Sequence, residues 1–171
     1  MQIDDIDYKI TQTVKQLAES CLDAGISIAV AESCTGGWLS KVLTDIAGSS
    51  RWFECGFVTY SNDAKMSMIS VQQTTLESYG AVSKNTVSEM ASGVLAHSNA
   101  TLSVAISGIA GPDGGSVEKP VGLVWFAFAS AFDQKVNVVT EKHLFKGSRE
   151  QVRGQAVLQA LSGFIQIIQL R

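Results

Sequence analysis

Ser33 lies in the turn Glu32-Ser-Cys-Thr-Gly-Gly37, directly behind the β-branched and apolar run 26–31, and two glycines open the segment that follows. Free backbone N–H groups of Cys34, Thr35, Gly36 and Gly37 would converge near its hydroxyl, an arrangement that suits an oxyanion or a phosphate. A serine there can attack a carbonyl carbon while amide donors stabilise the developing negative oxygen. Ser33 or Thr35 can equally be an ordinary N-cap of the next helix. Cys34 is a competing nucleophile, but a cysteine wants a histidine partner, and the only histidines are His97 at a predicted helix end and His143 inside a predicted strand. The same shortage argues against a Ser-His-Asp triad.

Another base is available in Tyr60-Ser-Asn-Asp-Ala-Lys65, where the tyrosine ends a predicted strand and the lysine falls in the first turn of a helix. A partly desolvated lysine near the positive end of a helix can lose enough basicity to accept a proton. Tyr60 would then relay or donate a proton between Ser33 and the leaving group. The alternative is a solvated lysine and an edge-of-core tyrosine. A third loop, 108–120, contains both prolines together with Gly108, Gly111, Gly114 and Gly115. Unstructured segments beyond about 12 residues are usually functional or disordered, and successive glycine amides can form an anion-binding nest. A lid without a ligand is the competing reading. Arg149 and Arg153, four apart at the start of the last predicted helix, share one face and could pair with a phosphate, a carboxylate or surface carboxyls.

These residues need elements to position them. Spacings of three and four from Ile3 to Cys21 predict an amphipathic helix ending at Gly25. Strands are expected at 26–31, 55–60 and 101–107, and a hairpin of strands at 122–130 and 136–145 joined near Asp133. Helices are expected at 38–47, after Ser61, and from Gly80-Ala-Val-Ser83 to about His97 with Thr86-x-x-Glu89 as a capping box. The last helix opens with Ser148-x-x-Gln151. Helices alternating with buried strands predict one three-layer α/β domain over 1–171, a mixed β-sheet flanked by helices. Ligands in such domains sit at the carboxyl ends of the strands, where the loops after 31, 60 and 107 lie.

The 171 residues carry a net charge of -3 with 17% charged and 46% hydrophobic residues, and no Lys/Arg block occurs, so the footprint of a nucleic-acid binder is missing. No apolar run reaches membrane-spanning length and no secretory signal opens the chain. Cys21, Cys34 and Cys55 are an odd set without C-x-x-C spacing, which suits reduced thiols and a cytoplasmic location. No His/Cys/Asp/Glu cluster has metal-ligand spacing; neither metal nor cofactor is expected, and only a loosely held divalent ion near Asp63 or Asp113 is left open. The dinucleotide and P-loop glycine fingerprints are absent too.

Taken together, Ala31-Glu-Ser-Cys-Thr-Gly-Gly37, Tyr60-Ser-Asn-Asp-Ala-Lys65, Gly80-Ala-Val-Ser83, Gly108-Ile-Ala-Gly-Pro-Asp-Gly-Gly115, Lys119-Pro-Val-Gly122 and Gly147-Ser-Arg149 resemble the C-terminal domain of the CinA proteins and its stand-alone members, the nicotinamide mononucleotide deamidases. The resemblance covers nearly the whole chain. It implies hydrolysis of the carboxamide of nicotinamide mononucleotide, with Ser33 as nucleophile and Tyr60 and Lys65 handling protons. Cys34, Thr35, Gly36, Gly37, Ser107, Gly108, Gly111 and Arg149 would hold the substrate. It also implies a homodimer, for which exposed apolar positions on the terminal helices would be suitable. Two positions depart from the usual pattern: Ser107 replaces a frequent threonine, and Ser148 a frequent aspartate.

Overall fold

Large and small side chains alternate along the strands, and this alternation decides how the layers assemble. The computed structural model describes residues 2–132 and 135–171. Strand β1 (Ile28–Glu32) turns Ile28 and Val30 to one face and Ala29 and Ala31 to the other, all fully buried. The central strand β3 (Leu102–Gly108) repeats this with Leu102, Val104 and Ile106 opposite Ser103 and Ala105. β4 (Leu123–Ser130) does so with Val124, Phe126 and Phe128 opposite Ala127 and Ala129. The bulky face shares a core with α1 (Ile3–Ala24), α2 (Trp38–Thr44) and α6 (Arg149–Gln169). The alanine face admits α3 (Asn62–Ile69), α4 (Gln73–Tyr79) and α5 (Lys84–Ala96) at close range.

With β2 (Phe53–Val58) and β5 (Asn137–Leu144) at the edges, the sheet order is β2-β1-β3-β4-β5. β1 is parallel to both β2 and β3, whereas β4 and β5 run antiparallel to their neighbours. The expected three-layer α/β domain with a mixed sheet is therefore the fold observed. From β1 the chain goes outward to β2 and then returns to β3 on the other side. This reversal opens a crevice at the carboxyl ends of β1 and β3.

Several local expectations shift. Helix α2 stops at Thr44 rather than near 47. Helix α4 carried no readable period, since only Thr75 and Leu76 are buried in it. The capping box expected at Thr86-x-x-Glu89 does not form: Ser83 is the N-cap of α5 and accepts from the Thr86 amide. Glu89 instead reaches the start of α4, accepting from the Gln72 amide at 2.8 Å and the Thr75 hydroxyl at 2.5 Å. The box at Ser148 and Gln151 forms as expected. A serine caps a helix about as well as an aspartate, so Ser148 keeps this structural role. The hairpin turn expected near Asp133 lies outside the described residues. On the terminal helices the main apolar stripes face the sheet and each other, with Ile6 seated against Gly154, while Tyr8 and Leu22 of α1 are exposed apolar positions of the kind expected there. Exposed apolar side chains on the sheet include Val58 at the end of β2 and Val136, Val138, Val139 and Leu144 on or beside β5.

The close seat of α5 yields a test. A Cβ at Gly93 would overlap the Ile69 carbonyl at the end of α3. Alanine gains about 1 kcal/mol in helix propensity, but backbone overlap costs about 1–3 kcal/mol. Gly93→Ala is expected to lower unfolding free energy in urea by a net of about 1 kcal/mol, against the propensity trend.

Candidate active site

The loop after β1 is organised by a carboxylate. Glu32 is 0% exposed and turns back onto the start of α2. It accepts from the amides of Gly37 and Leu39 at 3.0 Å each, and from the amide and hydroxyl of Ser40 at 2.7 Å each. Charge-assisted bonds at a helix N-terminus are among the stronger ones available. Gly37 takes a left-handed φ of 93°, which lets the chain enter α2 at the angle this contact needs. The Gly36 amide donates to the Ser33 carbonyl at 3.1 Å and the Trp38 amide to Thr35 at 3.2 Å. Two of the four amides expected to face a ligand are thus engaged. Among the described residues, those of Cys34 and Thr35 have no carbonyl or carboxylate acceptor.

Ser33 is held against the switch point by its amide, which donates to the Ile106 carbonyl at 3.0 Å. Its hydroxyl meets Lys65. Ser61 caps α3 through the Ala64 amide, which sets Lys65 on the inward face at 1% exposure. The Lys65 ammonium donates to Ser33 Oγ at 3.2 Å, to the Thr59 carbonyl at 2.8 Å and to the Tyr60 carbonyl at 3.2 Å. No carboxylate pairs with it among the described residues. Burial lowers its pKa to about 8, with the neighbouring Cys34 acting weakly in the other direction. Once neutral, the amine can keep its two hydrogens on the two carbonyls and direct its lone pair to the serine. Burial pushes the Cys34 thiol up to about 12, outweighing Arg153 and Lys65 nearby. It stays a thiol at neutral pH and is a poor nucleophile. Neither histidine reaches this place: His97 caps α5 beside Ser70, and His143 stacks on Phe145.

A cavity of about 270 Å³ opens over Ser33 and Lys65, walled by Cys34, Tyr60, the glycine loop from Gly108 to Gly114, and Arg149. Ser107 also lines it, although its hydroxyl donates to the Ala81 carbonyl at 2.8 Å. Gly108 is needed for close approach, because a Cβ there would crowd Val124 and the Leu123 carbonyl. Arg149 spans the mouth, donating to the Gly111 carbonyl at 2.8 Å and to the Tyr60 hydroxyl at 3.4 Å. The Tyr60 side chain is 62% exposed, so its phenol belongs to the rim while its carbonyl touches the lysine. Thr35, Gly36 and Gly37 do not line the cavity, and the Thr35 hydroxyl is buried without a partner. Arg153 points elsewhere than a ligand: it holds the Cys34 and Thr35 carbonyls.

Sequence reasoning missed the role of Glu32, although its place between a buried strand and a Gly-Gly helix start was a usable signal. It grouped Arg153 with Arg149 by spacing, and the structure separates them.

A family profile described as the CinA C-terminal domain matches residues 10–168. The chain belongs to that family. It is 54% identical over 155 residues to the nicotinamide-nucleotide amidohydrolase PncC of Escherichia coli (strain K12), covering 91% of this chain and 92% of the relative. To the protein of the same name in Pseudomonas putida it is 43% identical over 158 residues, covering 92% and 96%. Its fold matches the crystal structure of the competence/damage inducible protein CihA from Agrobacterium tumefaciens with a TM-score of 0.88 at 41% identity, over 93% and 95% of the two chains.

Glu32 supplies the test of this site's construction. Glu32→Ala leaves three helix-start amides without their acceptor and is expected to lose about 3 kcal/mol of stability. Glu32→Gln, which keeps the shape and one acceptor oxygen, should lose about half as much. Urea unfolding of both variants checks the order.

Proposed function

We propose that this chain is an amidohydrolase that converts nicotinamide mononucleotide to nicotinate mononucleotide and ammonia, a salvage step toward NAD. The contact between Ser33 and the buried, carboxylate-free Lys65 carries the reading, and the two relatives named for this activity support the substrate class. Neutral Lys65 takes the Ser33 proton as Oγ attacks the carboxamide carbon. The oxyanion rests on the Cys34 amide at the cavity wall. Protonated Lys65 returns its proton to the departing nitrogen, ammonia leaves, and an acyl-enzyme remains. Lys65 then takes a proton from water as it attacks, and collapse of the second tetrahedral adduct releases the nicotinate carboxyl and restores Ser33. Tyr60 contributes its carbonyl, which orients the lysine, and its phenol to the cavity rim.

Arg149 retains guanidinium donors beyond those on Gly111 and Tyr60, and a phosphate at the rim suits it. The cavity volume of about 270 Å³ lies just under the range of about 300–1,000 Å³ usual for ligand sites, which favours a mononucleotide over a dinucleotide. Free thiols at Cys21, Cys34 and Cys55 suit the cytoplasm, and the exposed apolar edge at Val139 and Leu144 suits a homodimer. Among the described residues no helix is long and apolar enough to cross a membrane.

Purified protein with nicotinamide mononucleotide, free nicotinamide and the dinucleotide is assayed for ammonia. Release from the mononucleotide is expected; binding without release would make the chain a pyridine-nucleotide-binding module instead. Ser33→Ala and Lys65→Met should each lose about 10³-fold or more in kcat while remaining folded. Because the base must be deprotonated, kcat/KM should rise with pH toward a plateau above about 8, the pKa of Lys65. A profile flat from pH 6 to 9 (roughly two units below to one above that pKa) would remove Lys65 from the role.

A further inference from the structure

Arg153 acts on the site from behind. It lies on α6 one turn beyond Arg149 and does not line the cavity. Its Nε donates to the Cys34 carbonyl at 3.1 Å and an Nη to the Thr35 carbonyl at 2.8 Å. The guanidinium lies 5.5 Å above the Trp38 ring, which fixes its plane. A planar fork on two successive carbonyls leaves the turn through Ser33, Cys34 and Thr35 little freedom.

The consequence reaches the amide donors. A trans peptide is planar, so the Cys34 carbonyl and the Thr35 N–H point in opposite directions. Holding that carbonyl on α6 aims the Thr35 N–H away from α6. A cation on the carbonyl also polarises the unit and strengthens the N–H as a donor. At the far end of the same loop Glu32 holds the Gly37 amide. The nucleophile and the Cys34 amide lie between the Ser33 amide, held on the Ile106 carbonyl, and the Cys34 carbonyl, held on Arg153.

We propose that Arg153 is a positioning residue for the amide hydrolysis, holding the Ser33 hydroxyl and the neighbouring amides in register with the reacting carbon without touching substrate. This rests on the amidase reading above.

The test is steady-state ammonia release from nicotinamide mononucleotide by wild type, Arg153→Ala and Arg153→Lys, with kcat normalised to folded protein by circular dichroism at the assay temperature. For Arg153→Ala, kcat should fall on the order of 10²-fold with KM within about threefold, because no substrate contact is lost. Arg153→Lys keeps the charge but cannot span two carbonyls, so it should stay at least about tenfold below wild type. Added guanidinium ion should restore part of the Arg153→Ala kcat saturably, which a merely unfolded fraction would not show. A folded Arg153→Ala with kcat within threefold of wild type (about 0.6 kcal/mol), a rise in KM at unchanged kcat, or no response to guanidinium overturns the proposal. If Arg153→Ala does not fold, Arg153→Lys decides by the same kcat criterion. A wild type that releases no ammonia overturns the amidase reading itself, a different outcome from an active wild type beside an equally active variant.

Discussion

The burial of Lys65 without a carboxylate partner is the constraint to which the rest of the site is fitted. An ammonium removed from water costs several kcal/mol even after relaxation, and here only three oxygens compensate it, two of them main-chain carbonyls. Those carbonyls belong to Thr59 and Tyr60, which leave β2 just before α3 begins, so the lysine closes a loop onto its own helix. The closure needs α3 tight against the sheet. That is possible because the facing side of β1, β3 and β4 is built of alanines and because Gly93 of α5 lets the end of α3 pass. Bulk removed from that face is recovered on the other, where Ile28, Val104, Phe126 and Phe164 build the larger core.

The loop carrying Ser33 obeys a related rule. A helix N-terminus is ordinarily an anion site, yet here the protein fills its own with Glu32. In the proposed reaction substrate charge is therefore not drawn to the start of α2, and the donors that remain lie next to Ser33. The helix start serves as an anchor, and in the proposed reaction stabilisation of charge is left to the atoms beside Ser33.

How much of this could be read from the chain follows from the range of each interaction. Strands, layers and the loops at the carboxyl ends are encoded by local period and by β-branched runs, so β1, β3 and the hairpin emerged within two residues of their bounds. Ser33, Lys65 and Tyr60 could be singled out because each stands at a strand-to-helix turn, where types alone suggest chemistry. Helix α4 could not be read, since its residues follow no apolar period and its start is capped from α5 by Glu89. Arg153 and Arg149 are equivalent by spacing. Only the tertiary placement of the Cys34 carbonyl, 119 residues away, assigns one to the loop and the other to the mouth. The expected convergence of four amides failed for a local reason: the Glu32 carboxylate takes the Gly37 amide and the Ser33 carbonyl takes the Gly36 amide.

One physical cause also selects between the adjacent candidate nucleophiles Ser33 and Cys34. Desolvation favours neutral forms, so the same dry pocket lowers Lys65 to about 8 and raises Cys34 to about 12. A thiolate–ammonium pair would need both shifts reversed, whereas a hydroxyl beside a neutral amine needs neither. In the proposed reaction this has a further consequence, because the pyridine ring of nicotinamide mononucleotide is a cation. An ammonium at the bottom of the cavity would repel that ring, and a neutral amine does not. Binding of the substrate therefore favours the protonation state that the serine needs for attack, and the burial that weakens Lys65 as a cation is what fits it both to its nucleophile and to its ligand.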